Sequence, residues 1–137
     1  MKRSFAIAAM CVVSWTLPAS AHHSLAAYNM GTYKTVEGTV KSFQWMNPHA
    51  KLSLVVVNGA GRTTQWEFEG GSIGRLTNGG FVKDAFGPGD KIKVAYNPRR
   101  DGSTAGFFIA VTTADGRTFA IDRFKQLNGS SQPTVDR

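Results

Sequence analysis

The sequence predicts a mainly β protein: a small OB-like antiparallel barrel of five to six strands with one short helix, downstream of a cleaved signal peptide. Three observations carry that expectation. Apolar and polar residues alternate in five runs and a shorter sixth, which is the period of a half-buried strand. A glycine-flanked helical stretch falls between the third run and the fourth, so the order is strand, strand, strand, helix, strand, strand. Ahead of them all, two basic residues, an apolar run and a few small residues have the layout of an export signal. Similar strand spacing also fits a two-sheet sandwich, and the element order favours the barrel.

In the signal, Lys2 and Arg3 precede apolar residues from Phe5 to Leu17, and Pro18-Ala19-Ser20-Ala21 follows, with small residues where a signal peptidase reads. The apolar core is shorter than the roughly 20 residues a spanning helix needs, and no later run is long enough, so stable membrane insertion is not expected. Cys11 is preceded by Met10 instead of the small residue of a lipoprotein signal, so no lipid anchor is expected. Cleavage after Ala21 would leave 116 of the 137 residues, without cysteine. With Lys2 and Arg3 gone, 14 basic and 9 acidic side chains remain, a formal charge of +5. A chain of that length buries roughly two-thirds of its unfolded surface and suits one domain, placed in the periplasm or secreted. Its basic excess favours anionic partners. Export makes nucleic acid a poor partner for it.

The expected layout is a signal over 1–21, an arm over 22–32, a barrel over 33–124 and a flexible tail over 125–137. The stretch from Ser24 to Thr32 has no regular period and reads as an arm lying over the domain. Val36, Gly38 and Val40 then alternate with Glu37, Thr39 and Lys41, after which Phe43 and Trp45 fall on the opposite phase, so the first strand is expected to bend through a bulge or a sharp coil near Ser42. Leu52, Leu54 and Val56 mark the second strand, Asn58-Gly59-Ala60-Gly61 a turn, and Trp66 with Phe68 the third strand. Ser72 can cap a short helix containing Ile73 and Leu76, which Asn78-Gly79-Gly80 stops. Gly87-Pro88-Gly89-Asp90 turns the chain into a fourth strand with Ile92, Val94 and Tyr96; Asn97 to Thr104 reads as a polar loop. Phe107, Ile109 and Val111 form the fifth strand, Asp115-Gly116 a hairpin turn, and Phe119 with Ile121 the short sixth.

The chemistry concentrates in the histidines. There are three: His22 and His23 directly after the expected cleavage site, and His49 in the turn Trp45-Met46-Asn47-Pro48-His49. In an OB barrel the loops after the first and fourth strands flank the usual binding face. That geometry would place His49 and the Arg99-Arg100-Asp101 loop at one mouth.

The motifs His22-His23-Ser24, Gly38-Thr39-Val40, Trp45-Met46-Asn47-Pro48-His49, Pro88-Gly89-Asp90 and Asp101-Gly102-Ser103 together resemble a family of small exported bacterial domains of unknown function. The resemblance covers nearly all of the mature chain. It implies export, a single β domain and the pairing of the HHS start with the NPH turn; it implies no activity.

A free His22 terminus can chelate a metal through its amine and its imidazole Nδ1, and His49 can supply a third nitrogen, the T-shaped set called a histidine brace. Neutral nitrogen ligands in a near-planar set suit Cu(II). Met46, Met30 or Tyr28 are candidates for an axial position, and His23 can assist or compete. Cleavage after Ala19 would instead start the chain Ser20-Ala21-His22, with histidine third, which wraps Cu(II) or Ni(II) in a closed square-planar site. The structural alternatives are a plain turn at Asn47-Pro48-His49 and cleavage context for His22-His23. On the metal reading the protein is a copper carrier or buffer, with an oxidative enzyme as a subordinate version.

A second class of function needs no metal. Trp45 with Arg99 and Arg100 would hold an anionic small molecule, a glycan, a lipid head group or another envelope protein, since guanidinium suits carboxylate and phosphate. Trp66, Phe68, Phe107 and Phe119 keep strand phase and read as core. Glu67 and Glu69 share one face of their strand, by default an exposed one. No Ser-His-Asp pattern, phosphate-binding glycine motif or cysteine-based metal motif is present, so no enzyme activity is assigned.

Overall fold

The computed structural model describes residues 25–122, 124 and 125. His22, His23, both cleavage sites and nearly all of the expected tail lie outside the described residues. The elements are β1 (Lys34–Gln44), β2 (Lys51–Val57), β3 (Thr63–Glu69), α1 (Ile73–Asn78), β4 (Lys91–Pro98), β5 (Ala105–Thr113) and β6 (Thr118–Ala120), after a 3-10 turn at Leu25–Ala27.

The strands lie in the order β3-β2-β1-β4-β5-β6, and a parallel pairing of β3 with β5 closes the first five into a barrel, leaving β6 as an added strand. This is the OB arrangement, with α1 carrying the chain from β3 to β4. Closure rests on three register pairs, Glu67 with Ala105, Phe68 with Gly106 and Glu69 with Phe107. The register of β1 against β2 shifts between Val40 and Ser42, so the phase change in the sequence is a bulge that bends the strand. A second shift lies in β4 between Ala95 and Tyr96.

The alternating residues fill the barrel. Leu52, Leu54, Val94, Phe108, Ile109 and Val111 are fully buried. Ser72 caps α1, its Oγ accepting from the Arg75 amide at 3.4 Å, and Leu76 anchors the helix in the core. Next, Phe81 packs on Phe108 and Phe119, with ring centroids 6.0 and 5.5 Å away. The Gly79 carbonyl accepts from the Ala120 amide, tying the helix end to β6. No helix among the described residues is long and apolar enough to cross a membrane.

Three expectations change. Asn97 belongs to β4, not to the following loop, and is fully buried; the arm covers it, and its Nδ2 donates to the Thr32 carbonyl at 2.6 Å. Trp66 and Phe119 pack against the core but remain half-buried, unlike Phe68 and Phe107. Glu69 does not stay in the exposed pair expected with Glu67: it is half-buried and makes the part-buried contacts described next.

Candidate functional site

His49 sits between β1 and β2, where the chain returns past the start of α1. The Asn47–Pro48 peptide is cis, and the Asn47 Oδ1 accepts from the Ile73 amide at 3.0 Å. A side chain on one loop thereby satisfies an otherwise open N–H of the helix's first turn. Ala50 exchanges backbone bonds with Gly70 and Gly71. The turn is fixed at both ends, and His49 is held over the end of β3.

The imidazole Nδ1 lies 3.0 Å from the Gly70 carbonyl oxygen and 3.4 Å from Glu69 Oε1. Both neighbours are acceptors, so they favour the tautomer in which Nδ1 carries the proton and Nε2 the lone pair. The side chain keeps 36% of its surface exposed, enough for a ligand to reach it. A histidine held through one nitrogen by a carbonyl and a carboxylate, with the other nitrogen open, has the usual support of a metal ligand.

Glu69 is the residue that sequence reasoning passed over. Its other oxygen, Oε2, accepts from the Tyr28 hydroxyl at 3.0 Å. Tyr28 is buried, its ring 5.8 Å from that of Phe107, and it forms an isolated bridge with Arg99. The Asn29 amide donates to Pro98 and the Arg100 amide to Ala27, while Arg100 Nε reaches the Ala26 carbonyl at 3.2 Å. Arm, β4–β5 loop, β3 and the His49 turn therefore meet in one chain of contacts, Arg99 to Tyr28 to Glu69 to His49. The signal for Glu69 was weak: only its place at the last position of β3, beside Gly70, sets it apart from Glu67, which bonds to Ser53 at 2.7 Å.

The other candidate residues are placed as follows. Trp45 packs edge-on against Phe43, 5.9 Å between centroids, and is half-buried; Met46 is 40% exposed. Arg99 pairs with Asp101 at 3.3 Å, and Asp101, with two bonds from Ser103 as the main cause and Arg99 beside it, is held below the usual carboxylate range. Among the described residues no group of three His, Cys, Asp or Glu side chains converges.

Burial, reinforced by the bond to Glu69, pushes the Tyr28 phenol up to about 12 from 10.0. The folded state thus holds this proton more tightly than the unfolded chain does. Its stabilisation is complete below pH 10 and is lost as pH rises through 12. Burial raises Tyr96 as well, so urea midpoints should fall across this window, and Tyr28→Phe should fall less. An equal fall in both would remove Tyr28 from the account.

A closed five-stranded OB-type barrel with one added strand and one short helix defines the class, a small β-barrel domain, and His49 stands in the turn between β1 and β2. The chain belongs to the family of unknown function DUF6152, whose model matches residues 9–108. No curated protein and no solved structure matches it.

Proposed function

We propose that the protein is an exported, periplasmic copper-binding carrier or buffer, in which the His22 amine and imidazole and His49 Nε2 hold the ion and His23 assists. The observation that carries this reading is the orientation of His49. Gly70 and Glu69 occupy Nδ1, so the nitrogen left for a ligand is the outward one. The arm supplies the second part of the case. It is pinned at Tyr28 to the same Glu69, and the 3-10 turn Leu25–Ala27 precedes Tyr28, so only three positions lead from Leu25 back to His22. At about 3.3–3.6 Å per residue those three span at most roughly 10 Å, a tether short enough to give a His22 terminus a high effective concentration beside the arm. Nitrogen donors of this kind favour Cu(II) among divalent ions.

The test is a Cu(II) titration of the exported, natively processed chain, followed by electron paramagnetic resonance, with intact mass on the same sample to fix the first residue. One equivalent bound with nitrogen hyperfine structure, and a start at His22, supports the brace. A start at Ser20 with a square-planar four-nitrogen spectrum replaces it with the third-position site. Binding no tighter than that of a surface histidine overturns both. Glu69→Gln keeps the side-chain shape but weakens the hold on Nδ1–H, and its Cu(II) affinity should fall about tenfold.

A further inference from the structure

Between the arm and the β4–β5 loop lies a cleft of about 420 Å³ that the copper reading does not use. Lys34, Trp66, Arg99 and Arg100 line it together with Asn29 and Ser103. We propose that this cleft binds an anionic sugar of the uronic acid type, its carboxylate held by Lys34, Arg99 and Arg100 and its ring lying on Trp66.

Four observations converge on that chemistry. Three cations and no carboxylate line the cleft; Asp101 offsets Arg99 from beside it, and Lys34 and Arg100 have no carboxylate partner among the described residues, so an anion is the complementary ligand. The Lys34 side chain has no hydrogen bond or ion pair among the described residues, and it stands on β1 opposite Tyr96, where a bound carboxylate would be its first partner. Both arginines are held through Nε, Arg99 by Asp101 and Arg100 by the Ala26 carbonyl. Their terminal nitrogens are thereby positioned before any ligand arrives, which lowers the ordering penalty of binding.

The fourth observation selects a sugar over a flat apolar acid. Trp66 is braced edge-on by Tyr96 at 5.5 Å and stacked with Phe68 at 6.0 Å, yet stays half-buried. The core thus holds the indole rigid with part of it open to the cleft. Asn29 and Thr32 also line the cleft, bringing an amide and a hydroxyl that match a ring rich in hydroxyls, while the Ser103 hydroxyl donates to Asp101 Oδ1 at 2.7 Å. An apolar acid would offer those two groups no partner.

The site is independent of any metal, and its test can be read separately. Trp15 belongs to the expected signal, so the processed chain has two tryptophans, Trp45 and Trp66, and Trp45→Phe leaves Trp66 as the reporter. In that background, glucuronate should change the fluorescence saturably, about tenfold more tightly than glucose, and the affinity should weaken in high salt. Lys34→Ala, an exposed position with no partner to lose, should weaken it about tenfold at unchanged melting temperature. His49→Ala should leave it unchanged. Equal binding of glucose, equal competition by benzoate or inorganic phosphate, indifference to Lys34→Ala, or no response at all would each overturn the proposal, whatever the copper titration shows.

Discussion

Three residues, Gly-Ser-Gly, placed ahead of His22 in the processed chain are expected to lower Cu(II) affinity on the order of a hundredfold or more, and His49→Ala by a smaller but clear factor. The number of added residues matters. One added residue would move His23 to third place, and two would move His22 there, and either would create the third-position Cu(II) site in place of the brace. Three put histidine fourth and remove both. The amine of the new terminus is then too far along the chain to form a chelate ring with the His22 imidazole, and separate weak donors remain. His49→Ala leaves the terminal chelate intact and removes the tethered third nitrogen, so its loss measures what the barrel adds. Affinity in the parent should fall with acidity as protons compete for the terminal amine and imidazole, whose reference values are roughly 7.7–8.0 and 6.5. Unchanged affinity in the extended chain would show that the terminus is not a ligand.

Gly70→Ala should be among the most damaging small substitutions in the barrel, with a loss of about 2–3 kcal/mol and a fall in melting temperature of roughly 10–20 °C. A Cβ at residue 70 would lie 2.3 Å from Cε1 and Cζ of Phe108, and Phe108 is fully buried, so the ring has no free space to enter. The main chain must move instead. That motion strains the Gly70 amide bond to Ala50 at 2.8 Å and the carbonyl that holds His49, so copper binding should weaken with stability. Pairing Gly70→Ala with Phe108→Leu should be less destabilising than the sum of the two by on the order of 1 kcal/mol, because the smaller side chain relieves the contact. Gly74→Ala is the control. It lies within α1 with nothing within 4 Å of the added carbon, and alanine there should stabilise by roughly 0.5–1 kcal/mol. Similar melting temperatures for Gly70→Ala and Gly74→Ala would contradict this account.

Strand positions were legible because a pleated strand alternates its side chains with a period of two wherever one face is buried. Leu52, Leu54, Ile92 and Val94 announce themselves in this way and are buried. The bulge near Ser42 was legible for the same reason: Phe43 and Trp45 change phase, and only an inserted residue lets a strand do so. Ser72 ahead of Ile73 and the glycines behind Asn78 bounded the helix through backbone chemistry that is local. Element order then favoured a barrel over a sandwich, and the parallel pairing of β3 with β5 is what closes it.

The site was legible only in part. His49 stood out by rarity, and the Arg99-Arg100 loop by its place after the fourth strand. Glu69 did not, because nothing near it in sequence distinguishes it from Glu67. Its two partners, Tyr28 and His49, are 41 and 20 residues away, and they meet only once the barrel closes and the arm docks across it. The alternation of Trp66 marks it as core, and the barrel leaves it half-buried beside an open cleft lined also by Lys34 and the β4–β5 loop. Sequence by itself determined what repeats along the chain: strand phase, turns, the helix cap and the three histidines. Tertiary structure alone decided which nitrogen of His49 is free and which carboxylate holds it, since those follow from contacts between segments whose spacing carries no local period.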